Sequence, residues 1–291
     1  MSDLAKGLAL GFLALVTLHL SLEARFRREA ADVVRSAFPE GGTIRVEDRP
    51  DGAFGMFGAR LTDVDVYGTG LKSAGLPFRA VQGRGWSGSI RHLRFHLRNL
   101  QIGGIALERL DAEAPDVRFD VHDALFRGRL VIRSAGVGRA SIQVSLAALA
   151  SYATKRSGGS ISNIRARALK GGLLISGAAN LLGAKLEVRV LGALAQRDGR
   201  YLYLQHPDVS INGAAPPAAL QQMILSKLDP LLDINRDFGL EGYLEISSVR
   251  VGDRSVYVEG TLTLPRVASK DRAHGHAAHT ETAKEPLWKP A

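Results

Sequence analysis

The chain has 291 residues, 45% of them hydrophobic, a mean hydropathy of zero and no cysteine. Such a chain suits one large domain or two modest ones, and it is neither a multi-span membrane protein, a disordered polymer, a disulfide scaffold nor a cysteine-ligated zinc protein. A net charge of +9 and a pI near 10.0 point to an anionic partner such as lipid headgroups, nucleic acid or an acidic polymer.

Residues 1–38 are expected to form an N-terminal hydrophobic helix. Gly7 to Leu22, GLALGFLALVTLHLSL, carries no formal charge. That is about enough to span a thin bilayer, which takes roughly 20 residues rising 1.5 Å each. LSLEARFRRE offers no small-x-small cleavage site, so a retained signal anchor is expected. The alternatives are a cleaved signal and a buried core helix ended by Pro39 and Gly41-Gly42. Arg25, Arg27 and Arg28 follow the apolar run, and by the positive-inside rule they oppose export of the body.

Residues 43–266 have the texture of an antiparallel β domain. In SIRHLRFHLRN, Leu93, Phe95 and Leu97 share one face while His92, Arg94, His96 and Arg98 share the other. Leu186, Val188 and Val190 alternate in the same way with Lys185, Glu187 and Arg189. Gly171-Gly172, Asp198-Gly199 and Gly252-Asp253 are placed to turn hairpins. Two helices interrupt the strands. One starts at Ser145 as N-cap and runs through LAALASYATK; the other opens at Pro216-Pro217 and ends at Leu228 before Asp229-Pro230. Leu220, Met223, Ile224 and Leu228 recur at helical spacing on the second. Residues 267–291 are polar and Ala-rich without periodicity and are expected to be disordered.

Motifs of catalysis fail in context. Gly83-Arg84-Gly85-Trp86-Ser87-Gly88 matches a dinucleotide glycine pattern, but a strand follows instead of a helix N-terminus. His274, His276 and His279 fall in the tail, and His92 and His96 sit about 13 Å apart along a strand. Asp63 with Asp65 and Asp229 with Asp233 are expected to be surface charges. The sequence therefore predicts no enzyme, no cofactor and no metal site.

From about Val137 onward the chain resembles the LmeA-like phospholipid-binding proteins of bacterial envelopes. The resemblance lies in GRASIQVSLAALASYAT, in the glycine-split hairpins from NIRARALK to NGAAPP, and in LSKLDPLLDINRDFGLEGYLEISSVRVGDRSVYVEGTL. It implies phospholipid binding and an α+β, mainly antiparallel fold: a curved sheet wrapped around helix, similar to tubular lipid-binding modules. It further implies a cell-envelope location, membrane-anchored with the body outside the cytoplasm.

Between Asp65 and Glu108 no acidic residue occurs, and Lys72, Arg79, Arg84, Arg91, Arg94 and Arg98 all fall in that stretch. These six are the expected headgroup ligands, facing an anionic membrane phospholipid. Leu220, Met223, Ile224 and Leu228 are the expected acyl-groove lining. A structural envelope scaffold binding protein or polymer is the alternative. Nucleic-acid binding is disfavoured because the arginine-bearing strand face lacks interleaved aromatic residues.

Overall fold

The computed structural model describes residues 40–52, 59–73, 87–126, 131–170, 172–181, 184–240 and 242–263, with Gly55 and scattered positions between 21 and 38. In chain order the strands are β1 (Thr43–Pro50), β2 (Arg60–Thr69), β3 (Lys72–Ser73), β4 (Ser87–Ile102), β5 (Ile105–Asp120), β6 (Ile132–Ser134) and β7 (Gly138–Ser145). They continue as β8 (Ile161–Leu169), β9 (Gly172–Leu181), β10 (Ala184–Arg197), β11 (Tyr201–Ile211), β12 (Leu232–Asp233), β13 (Leu244–Val251) and β14 (Ser255–Leu262). The helices are α1 (Val121–Phe126), α2 (Leu146–Arg156), α3 (Ala218–Leu228) and α4 (Ile234–Phe238).

The strands divide between two sheets. A nine-stranded sheet runs β1-β2-β4-β5-β7-β14-β13, with β3 also on β4 and β6 also on β5, and it curls into a half-barrel. A five-stranded sheet runs β12-β11-β10-β9-β8. Pairing is antiparallel except where β2 and β3 lie parallel to β4. The three expected glycine turns join β8 to β9, β10 to β11 and β13 to β14. The sequence does not foretell the division, because α2 ends β7 and the β8–β11 meander then closes by local hairpins. Only β14 returns to β7, more than a hundred residues later.

Alternation decides which face is buried. Leu93, Phe95 and Leu97 of β4 join Val64, Val66, Ile142, Val144, Val256 and Val258 in one apolar cluster with Val188 and Val190 of the smaller sheet. Ser145 caps α2 by accepting a hydrogen bond from the Ala148 N–H at 3.1 Å, and Leu146, Leu149, Ala150 and Ala153 turn inward. That face packs on β8 and β5. Pro217 is the N-cap of α3, so the helix begins just after the Pro216-Pro217 pair and not within it. Two short helices, α1 and α4, were not foreseen. Each is capped by an aspartate: the Asp120 and Asp233 side chains accept from the N–H groups of Asp123 and Arg236.

The described positions from Ser21 to Arg35 are helical. Phe26 and Ala30 are buried, and Phe26 meets Phe119 of β5 with ring centroids 6.2 Å apart. Arg27 pairs with Asp48 of β1, whose side chain is wholly covered. All of Gly7–Leu22 except Ser21 lies outside the described residues, as does the 267–291 tail. Among the described residues no helix is long and apolar enough to cross a membrane.

The β4–β5 turn touches α4 at Gly103, which sits at φ +57°, where an added methyl would overlap the Asp237 carbonyl oxygen. Gly103→Ala should therefore destabilise the fold by about 2–4 kcal/mol, combining left-handed strain with a displaced backbone. Urea titration checks this as a lower midpoint at unchanged slope.

Candidate functional site

The solvent face of the larger sheet carries charges matched row by row. Register sets Asp65, Arg94, Glu113 and Arg139 abreast on β2, β4, β5 and β7, with Tyr67, His96, Asp111 and Ser141 in the next row. Arg94 reaches Asp63 at 2.8 Å and Asp65 at 2.7 Å. His96 meets Asp111 at 2.9 Å, Arg109 pairs with the same carboxylate, and His92 lies 3.4 Å from Glu113. Burial pushes the Asp111 carboxyl up, but Arg109 and His96 outweigh it and hold its pKa below the ordinary value. A concavity of about 550 Å³ on this face is lined by Arg94, His96, Asp111, Arg139, Ser141 and Glu259, among others. There Arg94 and His96 are already held by carboxylates from neighbouring strands.

A second concavity, of about 630 Å³, lies toward the β1 edge among Arg45, Tyr67, His96, Arg98 and the threonines 43 and 69. Tyr67 stacks on His96 with centroids 5.2 Å apart. Among the described residues no carboxylate pairs with Arg98 or Lys72.

The third concavity differs in kind. About 380 Å³ opens between α3 and the β11 edge, lined by Leu204, Pro207, Leu225 and Leu228, with Tyr203, Arg197 and Asp229 at its border. The Arg197 guanidinium lies 5.1 Å from the Tyr203 ring centroid and 3.3 Å from Asp229. An apolar floor beside an exposed, exchangeable cation is the chemistry an amphiphile requires.

Behind this cavity is a buried polar node. Asp233 is only 4% exposed and takes both Nε and Nη2 of Arg200 at 2.8 Å. Asp237 accepts the Asp233 N–H at 2.8 Å and the Arg236 Nε–H at 2.9 Å, and it also receives the Tyr152 hydroxyl of α2. Burial and that bond to Asp237 push the Tyr152 pKa up to about 12. Burial raises the Asp233 carboxyl, yet Arg200 and the Arg236 N–H more than offset it, leaving its pKa below the ordinary value. Asp233 is thus a core carboxylate, contrary to the surface charge expected from sequence, whereas Asp229 is exposed.

The expected headgroup residues are dispersed. Arg79 and Arg84 lie outside the described residues. Arg94 is clasped by two aspartates, Arg91 lies 3.8 Å from Asp51, Arg98 lines the 630 Å³ concavity and Lys72 is exposed on β3. The acid-free run in sequence is not acid-free in space, because β2 and β5 bring carboxylates alongside β4. Of the expected acyl-groove residues only Leu228 lines the α3 cavity. Ile224 is buried core, Leu220 is half-buried and Met223 is 43% exposed. The sequence pointed to neither Leu204, Leu225 nor Arg197. Leu225 falls beside the stripe of Leu220, Ile224 and Leu228, and one turn before it stands the polar Gln221, so helical periodicity left it unmarked.

A family model described as LmeA-like phospholipid-binding matches residues 74–261. The chain belongs to this family. No curated protein and no solved structure matches it. The LmeA-like span takes in the whole smaller sheet, α3, the α3–β11 cavity and the buried node. It leaves out β1, β2 and β3, and with them most of the 630 Å³ concavity.

The node makes acid stability predictable. A carboxylate held below its unfolded pKa contributes stability that is complete above about pH 4 and disappears as pH falls through the folded value. Arg200→Met should lower stability at neutral pH and flatten the acid-side loss below about pH 4. Tyr152→Phe, which removes a donor to Asp237, should cost about 1–2 kcal/mol at neutral pH. Denaturant titrations across the acid range read both.

Proposed function

We propose that this protein binds membrane phospholipid without catalysis, taking acyl chain into the α3–β11 cavity. The observation that carries the proposal is that cavity, where Leu204, Leu225 and Leu228 meet Arg197 within the span matched by a phospholipid-binding family. Each methylene moved from water onto such a floor contributes about 0.8 kcal/mol. Arg197 is exposed and its bond to Asp229 is long, so a phosphate can replace the carboxylate as its partner. Arg98 and Lys72, lacking carboxylate partners among the described residues, add longer-range attraction to anionic headgroups. Arg94 contributes least, since Asp63 and Asp65 neutralise it.

The proposed setting is the bacterial cell envelope, with the apolar N-terminal segment as tether and the body outside the cytoplasm. Handing lipid from one membrane to another is a further part of the proposal. The cavity is too small for both chains of a diacyl lipid, which favours partial withdrawal of a lipid over its full enclosure.

Native mass spectrometry of the purified chain should reveal bound phospholipid. Leu225→Trp fills the cavity and should reduce occupancy roughly tenfold, matching about two lost methylene burials. Thermal unfolding should stay unchanged, because Leu225 is only half-buried. Equal lipid occupancy in the two proteins would remove the cavity from the proposal.

A further inference from the structure

The smaller sheet has a solvent face whose composition no core or ion-pair network explains. β8, β9 and β10 pair so that Arg165, Ser176 and Arg189 lie abreast, with Arg167, Leu174 and Leu191 in the adjoining row. Directly opposite residues share a face. The opposite face holds Ile164, Leu173, Ile175, Val188 and Val190, all buried. What remains outside is a basic surface studded with leucine: Leu191 is 39% exposed, and Leu169, next along on β8, is 47% exposed. These two are among the few large hydrophobic side chains the described residues leave open. Arg189 bonds Glu187 at 2.9 Å, while Arg165 and Arg167 have no carboxylate partner among the described residues. Lys185, opposite Asn180, extends the positive charge along β10, and Asp208, opposite Leu191, is the acid at the β11 side.

We propose that this face docks flat on an anionic membrane, its arginines at headgroup level and Leu169 and Leu191 entering the interface. Cations interleaved with exposed aliphatic side chains fit a charged surface with an apolar interior. They fit a nucleic acid poorly, since β8, β9 and β10 place no aromatic ring among these arginines for stacking. The placement extends the lipid-binding proposal and rests on it for its purpose. Ala193, beyond Leu191 on β10, pairs with Gln205 of β11, and Gln205 borders the α3 cavity. A chain docked this way holds the cavity mouth against the bilayer it draws lipid from.

The natural sequence lacks cysteine, so Ser176→Cys in the full chain accepts a single environment-sensitive fluorophore at the centre of the face. Ser141→Cys, on the charged face of the larger sheet, is the control. With phosphatidylcholine vesicles containing phosphatidylglycerol, the Ser176 probe should shift to the blue and the Ser141 probe should not. Pure phosphatidylcholine should leave both unchanged.

Arg165→Gln, Arg167→Gln and Arg189→Gln combined should raise the lipid concentration needed for the shift on the order of a hundredfold, at about fivefold per cation. Leu169→Ser with Leu191→Ser should reduce the shift itself. A Ser176 probe that stays aqueous while the protein floats with vesicles would show attachment by another segment and overturn the proposal. So would a response to duplex DNA in place of vesicles, or unaltered docking by the arginine variant. Lipid retention by native mass spectrometry separates the two proposals: the glutamine variant should keep its lipid, and Leu225→Trp should keep its docking.

Discussion

Two buried carboxylates at the junction of the sheets set the geometry on which the rest depends. Asp233 and Asp237 stand at the start and within the last turn of α4, where unpaired charge would be prohibitive. Each is answered from a different part of the fold: Arg200 from the β10–β11 hairpin, Tyr152 from α2, and the N–H groups of Asp233 and Arg236 from the segment itself. The β4–β5 turn closes on the same place at Gly103. Hydrophobic burial brings the two sheets together without fixing their relative position, because it has no direction. The node supplies direction. Asp229, which pairs with Arg197 at the border of the α3 cavity, is only four residues before Asp233, so the constraint that joins the sheets also positions the cavity rim.

Charge on the larger sheet follows another rule. Along β4 the sequence is purely basic on its polar face, which suggested an open cationic surface. Strand pairing reverses that impression, since neighbours across a sheet are nearer than neighbours along it. Asp63, Asp65, Asp111 and Glu113 come from strands before and after, and their register converts Arg94, His92 and His96 into members of a self-neutralised lattice. Charge unmatched by register survives elsewhere, at Arg98 near one edge and at Arg165 and Arg167 on the smaller sheet.

Local physics was legible in the residues. The alternation of Leu93, Phe95 and Leu97, the Ser145 cap, the Pro217 start of α3 and the glycine turns all depend on neighbours within a few positions. Features resting on distant pairing were not legible. The division into two sheets depends on β14 rejoining β7, and the parallel β2–β4 pair depends on a register between strands that no hairpin joins. The rotation of the α3 face shows the same limit. Its sequence offers Leu220, Met223, Ile224, Leu225 and Leu228, and only the β11 edge decides that Leu225 turns toward a cavity while Met223 turns to solvent. Family resemblance carried the lipid assignment further than any spacing could, because a groove for acyl chains demands apolar shape and no particular residue.

That tolerance explains why the site lacks a motif. A catalytic centre needs a few atoms held within tenths of an ångström, and such demands leave fixed residues in fixed order. A hydrocarbon chain needs a dry surface of adequate length, and many arrangements of Leu, Pro and Tyr provide one. In the proposed mode of binding, selectivity for a phospholipid rests on what lies at the mouth of the cavity. Here that is Arg197, held over the Tyr201 and Tyr203 rings at 5.7 and 5.1 Å and therefore oriented without being buried. In that proposed mode of binding, the leucine floor gives affinity and the guanidinium gives polarity of entry, chain first and phosphate outermost. The same logic scales up to the sheet face beside it, where leucines among arginines repeat that pairing of apolar contact and positive charge over a whole surface.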